Sequence, residues 1–195
     1  MILQGEIRRN MKALLIIDIQ NDYFPGGANP LEGTEEALAN AKKLLVWFRK
    51  NNKPVIHLQH TSKTSSFFKE GTKGAEIHGE LKPIDREVHL IKHYPSAFRE
   101  TNLKQILEDA GIKQLVICGM MTHMCIDTTV RAAKDLDYEV ELIHDACATK
   151  DLKWKESIIP GANVHMAYLA ALNGTFARIL STEEFCREEL LRQAQ

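Results

Sequence analysis

Short apolar segments alternate with segments of helical periodicity along the whole 195-residue chain. The first apolar segment, KALLIIDI, contains almost no polar residue, which is typical of a strand buried on both faces of a sheet. Strands that alternate with helices pair in parallel through right-handed crossovers, so we predict an α/β fold with helices on both faces. The predicted strands are residues 12–19, 54–59, 88–92, 114–119, 138–143 and 176–180, and the predicted helices are residues 34–52, 102–111, 126–136, 163–174 and 182–193.

The composition is that of an ordinary globular protein, with 44% hydrophobic residues and a net charge of −1. Neither sign of charge is in excess, which argues against a nucleic acid or a membrane surface as the main partner. The longest apolar runs are far shorter than the roughly 20 residues that span a bilayer. The N-terminal segment also lacks the apolar stretch of a signal peptide. We therefore expect a cytoplasmic protein with one domain, residues 12–195, after an N-terminal extension, residues 1–11.

The four cysteines show no CxxC spacing; they are Cys118, Cys125, Cys147 and Cys186. In a chain without an export signal, such cysteines are expected to be reduced thiols rather than a disulfide framework. This pattern disfavours a structural zinc cluster and leaves a catalytic thiol open.

Three reactive residues stand at or just beyond the carboxyl ends of predicted strands: Asp18, Lys92 and Cys125. Each has an ordinary explanation when taken alone, as a turn cap, a surface lysine or a core thiol. A charged group at the end of a buried strand is costly unless it is paired or functional. Because functional groups of parallel sheets gather at this edge, the coincidence of all three predicts a reactive site.

The chemistry of these three residues is coherent. A helix N-terminus and a neighbouring ammonium group both stabilise a thiolate, so we expect the pKa of Cys125 to be lowered. A nearby carboxylate can accept the thiol proton and return it to a leaving group. Thr122 is a candidate N-cap, which would place Cys125 in the first helical turn, where unpaired N–H groups can bind an oxyanion.

Five motifs resemble the isochorismatase-like cysteine hydrolases, a family that includes nicotinamidases: LLIIDIQNDYF, GTKGAEIHGEL, IKHYPSAF, CGMMTHMC and DACAT. The resemblance extends from Lys12 to about Glu184, with the motifs in the order of the family. It implies a three-layer α/β/α fold around a six-stranded, mostly parallel, Rossmann-like sheet. It also implies a catalytic triad of Asp18, Lys92 and Cys125.

The same resemblance implies further details of the site and of the assembly. A cis peptide bond is expected between Met120 and Met121, and the backbone N–H groups of Met121 and Cys125 are expected to form the oxyanion hole. Relatives are commonly homo-oligomers, so we expect a dimer or a tetramer.

The segment after the second strand departs from the nicotinamidase pattern. Nicotinamidases carry an Asp-x-His pair there, with a further histidine, and these residues hold a metal ion. In LQHTSKTSSF, His60 takes the aspartate position and Ser62 the histidine position. We therefore predict an enzyme without metal or other cofactor, which hydrolyses a small amide-type substrate through a thioester. A metal-dependent nicotinamidase, with a cluster of His57, His60 and His78, remains an alternative.

The substrate pocket is predicted less directly. Candidate lining residues are Tyr23, His60, His93, Phe98 and His123, although each histidine is also explained as a satisfied polar residue at a strand end. The long irregular segment of residues 60–87 is expected to form a lid or a pocket wall. The sequence does not distinguish a primary amide, a ureido compound and a carbamate.

Other classes of protein agree less well with the sequence. A phosphatase of the haloacid dehalogenase type would use Asp18 as its nucleophile, but it needs a second aspartate where Gln20 stands. A thiol oxidoreductase lacks a resolving cysteine close to Cys125 in sequence. A binding protein that has lost turnover is a further alternative, but nothing in the sequence supports it, since all three triad positions are intact.

Overall fold

The computed structural model describes residues 11–194. Except for Met11, the predicted N-terminal extension lies outside the described residues. Among residues 11–194, no helix combines the length and the apolar character that crossing a membrane requires.

A six-stranded sheet forms the centre of the fold, with the strand order β3-β2-β1-β4-β5-β8. Every adjacent pair in it is parallel, which confirms the predicted α/β/α architecture. The strand order reverses between β1 and β4, which places the switch point of the sheet between these two strands. The strands of this sheet are β1 (Lys12–Ile17), β2 (Val55–His60), β3 (Val88–Lys92), β4 (Gln114–Met120), β5 (Glu139–Ala148) and β8 (Arg178–Leu180).

A second, two-stranded sheet was not predicted. It is an antiparallel hairpin of β6 (Leu152–Trp154) and β7 (Ser157–Ile159), which lies outside the main sheet. The turn between its strands has Lys155 in a left-handed conformation with φ 54°. Turns of this kind are usually marked in the sequence by Gly or Asn. Because Lys155 stands here instead, the sequence carries no signal of the turn.

Among residues 11–194, four α-helices connect strands and a fifth follows the last strand, and their positions agree with the predicted ones to within a few residues. The first begins after Gly33, so Thr34 is its first residue rather than its cap. The last has a capping box in which the side chains of Ser181 and Glu184 bond each other's backbone N–H groups. The helices are α1 (Thr34–Lys50), α2 (Leu103–Asp109), α3 (Asp127–Asp135), α4 (Gly161–Leu172) and α5 (Thr182–Gln193).

The apolar residues of β1 alternate between two cores, one on each face of the sheet. Leu14 and Ile16 belong to the core that also contains the buried residues of α1 and Phe185 of α5. Leu15 and Ile17 belong to the opposite core, which contains apolar residues of α2 and α3. The continuous apolar run from Ala13 to Ile17 is therefore explained by burial on both faces.

Gly119 lies where β4 approaches the end of β1 most closely. It pairs with Ile17 in the sheet and adopts a φ of 134°, in the region that favours glycine. A Cβ atom at this position would overlap the carbonyl oxygen of Ile17, a backbone atom that cannot move away cheaply.

We expect Gly119→Ala to lower the free energy of unfolding by about 2–5 kcal/mol, because backbone strain and steric overlap add. Gly79→Ala is the matched control, since a Cβ at Gly79 meets no atom within 4 Å. That control is expected to change the stability by less than about 1 kcal/mol. Denaturant unfolding of both variants measures the difference, and equal stabilities would contradict the proposed steric constraint.

Candidate active site

The three reactive residues predicted from the sequence meet at the carboxyl edge of the sheet. Asp18 directly follows β1, Lys92 ends β3, and Cys125 lies in the turn between β4 and α3. The Nζ atom of Lys92 is 2.7 Å from Oδ2 of Asp18 and 3.3 Å from Sγ of Cys125. Exposed fractions are 0% for Asp18, 1% for Lys92 and 6% for Cys125, so the group is enclosed by the fold.

The ammonium group of Lys92 contacts two further acceptors. It lies 3.1 Å from the carbonyl oxygen of Tyr94 and 3.2 Å from Nδ1 of His60. His60 pairs with Lys92 in the register of β2 and β3, which brings the imidazole beside the ammonium. Because an ammonium can only donate, Nδ1 of His60 accepts and the ring carries its hydrogen on Nε2. Four acceptors thus surround the Lys92 ammonium, which has only three hydrogens to donate.

The Asp18 carboxylate is buried but keeps its capacity to accept hydrogen bonds. The residue has φ 53°, which turns the chain sharply after β1. Although Nζ of Lys92 is 2.7 Å away, neither carboxylate oxygen receives a hydrogen bond of good geometry from the described residues. The contact with Lys92 is therefore an ion pair, and both oxygens can still accept a proton or a donor group at the thiol.

The turn that carries Cys125 is a single π-helical turn, Thr122–Ile126, and not the first turn of an α-helix. Its cap is Met121, whose carbonyl oxygen accepts the N–H groups of Met124 and Ile126. The predicted N-cap role of Thr122 is wrong, since the turn begins at Thr122 itself. Its hydroxyl instead contacts the carbonyl oxygen of Ala148, at the end of β5.

A cis peptide bond joins Met120 and Met121, directly before this turn. It lies at the position that the resemblance implies. The turn that carries Cys125 therefore starts with the local backbone geometry expected from the sequence motif.

Burial dominates the ionisation of the site. Burial, and then the negative charge of Asp18, raise the pKa of the Cys125 thiol, and the smaller opposing effect of Lys92 does not compensate. The expected lowering of this pKa is therefore wrong. Burial lowers the pKa of Lys92, but Asp18 and Cys125 together raise it above its ordinary value. Burial and the charge of Lys92 lower the pKa of His60, which favours a neutral imidazole.

Three aromatic rings pack beside the triad. Tyr23 is 2% exposed, and burial and the charge of Asp18 raise the pKa of its phenol. Its ring centroid lies 4.6 Å from that of Phe68 and 6.1 Å from that of Phe67. Both phenylalanines come from the predicted lid segment, and sequence reasoning missed them. Two adjacent apolar residues within an otherwise polar segment are the sequence feature that could have identified this pair.

Two side chains from the turn after β1 hold the lid segment against the site. Gln20 accepts the N–H of His60 at 2.8 Å and donates to the carbonyl oxygens of His60 and Ala75 at 2.8 and 2.6 Å. Oδ2 of Asp22 accepts the N–H of Phe68 at 2.6 Å. Gln20 therefore fixes the backbone of His60, a role that the sequence did not reveal.

The remaining pocket candidates differ in their positions. His93, which directly follows Lys92, donates from Nδ1 to the carbonyl oxygen of Thr61, 2.9 Å away. His123 lies on the turn that carries Cys125 and contacts the hydroxyl of Thr149.

Phe98 is not brought to the triad. Its ring stacks on Tyr138, directly before β5 at the opposite end of the sheet.

The residues at the nicotinamidase metal positions do not form the metal site of that enzyme. Ser62 accepts the backbone N–H groups of its own turn, and His78 accepts the N–H of Glu80 and packs on Phe24. His57 is buried and bonded to Glu87. Among residues 11–194, the only mutually close group of three potential ligands is Asp18, His60 and Cys125, within 4.8 Å of one another.

Comparisons with known proteins identify relatives that are similar in sequence and in fold. The chain is 46% identical to the isochorismatase family protein YddQ of Bacillus subtilis over 90% of this chain and 98% of that protein. It is 30% identical to nicotinamidase 3 of Arabidopsis thaliana, over 80% of this chain and 83% of that protein. An isochorismatase structure from Pseudomonas putida superposes with a TM-score of 0.85 at 34% identity, over 93% of this chain and 95% of that chain.

The model of the isochorismatase domain matches residues 12–184, which are most of the chain. The enclosed triad at the carboxyl edge of the sheet lies within the matched residues. The chain therefore belongs to the isochorismatase family and is a hydrolase.

Proposed function

We propose that residues 12–195 form a cysteine-dependent, metal-independent hydrolase that cleaves the C–N bond of a small amide-type substrate through a thioester. The observation that carries this proposal is the contact of Lys92 with both Asp18 and Cys125 in a buried site. The nicotinamidase relative, whose name denotes hydrolysis of an amide, supports a carbonyl carbon as the point of attack.

The thioester forms in two steps. As the sulfur of Cys125 bonds to the carbonyl carbon, its proton moves to the Asp18 carboxylate, whose oxygens have no other donor of good geometry. The Lys92 ammonium, 3.3 Å from the sulfur, stabilises the thiolate character of the attacking group. The backbone N–H groups of Met121 and Cys125 are proposed to bind the oxyanion. The C–N bond then breaks, and Asp18 gives the proton to the leaving nitrogen.

Hydrolysis of the thioester reverses the roles. The oxygen of a water molecule bonds to the thioester carbon while Asp18 takes a proton from that water molecule. The C–S bond breaks, the carboxylic acid product leaves, and Asp18 returns the proton to the sulfur. The thiol that results is the protonated form that burial favours in the free enzyme.

The structure supports neither enzymatic alternative. A nicotinamidase-type metal site would need ligands where Ser62 and His78 serve turns of the backbone. A phosphatase with an aspartyl nucleophile needs a second carboxylate near Asp18. At that position the buried amide of Gln20 is committed to His60 and Ala75.

A second copy of the chain is proposed to cover an apolar surface beside the site, in a cytoplasmic homo-oligomer. The surface consists of one face of the β6–β7 hairpin together with α4, with exposed fractions of 70% for Trp154, 40% for Ile159 and 60% for Met166. Helix α4 contacts the nucleophile's turn, and it contains no Asp, Glu, Lys or Arg although much of it is exposed. Monomeric proteins rarely expose an apolar surface of this extent.

The electrostatic effect of Asp18 on Cys125 predicts a shift in thiol reactivity. Asp18→Asn removes a negative charge that raises the pKa of Cys125, so this pKa falls and alkylation at a given pH becomes faster. Lys92→Ala has the opposite effect, since Lys92 lowers the same pKa. Iodoacetamide rates against pH, with Cys125 identified by peptide mass spectrometry, measure both shifts. A slower reaction of the Asp18 variant would contradict the assigned electrostatics.

Turnover is expected to respond differently from alkylation. Cys125→Ala is expected to abolish ammonia release from any substrate found in a panel of small amides, because the proposed thioester needs the sulfur of Cys125. Asp18→Asn and Lys92→Ala each lower the rate by about 10²–10⁴-fold. Cys186→Ala, which changes a cysteine outside the site, is the control and keeps its rate. Turnover retained by Cys125→Ala would disprove the covalent mechanism.

The apolar surface predicts the oligomeric state. The double variant Trp154→Glu, Ile159→Lys is expected to be monomeric in light scattering after size-exclusion chromatography, while the wild-type protein is a dimer or larger. Val46→Lys is the control, because Val46 is 56% exposed but lies on α1. A monomeric wild-type protein, or dissociation by the control alone, would contradict this interface.

A further inference from the structure

The ammonium group of Lys92 occupies the position of a bound cation. Its nitrogen lies 2.7 Å from Oδ2 of Asp18, 3.1 Å from the carbonyl oxygen of Tyr94, 3.2 Å from Nδ1 of His60 and 3.3 Å from Sγ of Cys125. The three side-chain ligand atoms lie within 4.8 Å of one another. Both oxygens of Asp18 are buried and receive no hydrogen bond of good geometry from the described residues.

These four acceptors are a set of ligands that suits zinc. Zn²⁺ binds thiolate, imidazole and carboxylate in a tetrahedral arrangement, at about 2.0–2.3 Å. The present contacts to the ammonium are 2.7–3.3 Å. The ligands would therefore need to move inward by roughly 1 Å or less to bind a zinc ion at the same place.

We propose that the Asp18–His60–Cys125 group is a latent zinc site from which the Lys92 ammonium excludes the metal. A divalent ion at this position would face an ammonium in a buried environment, where charge repulsion is strong. Zinc therefore binds weakly to the wild-type protein, and the thiol stays available for its own chemistry. When Lys92 is absent, the thiol loses its proton to the buffer as its sulfur becomes a zinc ligand.

Zinc titration of Lys92→Ala tests this proposal without substrate, so its result is independent of the proposed hydrolysis. Competition with a chromophoric chelator is expected to show one zinc ion per chain, bound about tenfold or more tightly than by the wild-type protein. The double variant Lys92→Ala, His60→Ala is the matched control and should lose most of this gain. Equal binding by Lys92→Ala and the wild-type protein, or by the single and double variants, would overturn the proposal.

Removal of Lys92 leaves the Asp18 carboxylate buried without its partner, which can prevent folding. The double variant Asp18→Asn, Lys92→Ala avoids that unpaired charge and keeps the sulfur, the imidazole and an amide oxygen. It is also expected to bind zinc more tightly than the wild-type protein, and binding no tighter would overturn the proposal.

The wild-type protein gives an independent measurement. Micromolar zinc is expected not to protect its Cys125 from alkylation, because the ammonium holds the position of the metal. Zinc protection of this thiol in the presence of Lys92 would overturn the proposed exclusion.

Discussion

The ion pair between Asp18 and Lys92 connects two strands that are not neighbours. Asp18 follows β1 and Lys92 ends β3, with β2 between them. Adjacent strands lie about 4.8 Å apart, so only a long side chain spans the distance over β2. Either charge alone would be costly in this buried place. The pair forms only when the register of the three strands brings the two side chains together. A slip of one residue would turn Lys92 to the other face of the sheet and break the pair.

The same pair sets the state of the nucleophile. The charge of Asp18 adds to burial in raising the pKa of Cys125, while Lys92 opposes both. The free enzyme therefore keeps a neutral thiol in an enclosed site, next to a carboxylate that can accept its proton. In the proposed mechanism, the proton transfer therefore accompanies the attack on the substrate and does not precede it. A neutral buried thiol is also a poor target for oxidation, because the thiolate is the reactive form.

Local signals in the sequence predicted the six strands of the main sheet, the five helices and the meeting of the three reactive residues. Continuous apolar runs mark buried strands, and a charged residue at such a strand's end marks a site. Features that depend on tertiary packing were missed or wrong. Thr122 resembles an N-cap in the sequence, but the turn begins at that residue. The expected lowering of the Cys125 pKa was wrong because this pKa depends on how deeply the thiol is buried. Phe98 follows the Lys92 motif in sequence, yet it packs on Tyr138 at the far end of the sheet.

His60 gives the site its charge balance without a metal ion. Asp18 and Lys92 form one buried pair of opposite charges, and His60, whose pKa is lowered by burial and by Lys92, adds a neutral ring. A carboxylate at position 60, as the nicotinamidase pattern has, would add a second negative charge to this enclosed group. Such a charge is stable in a protein interior only with another cation, and a divalent metal supplies it. The imidazole of His60 and the proposed independence from metal would therefore both follow from a single electrostatic requirement.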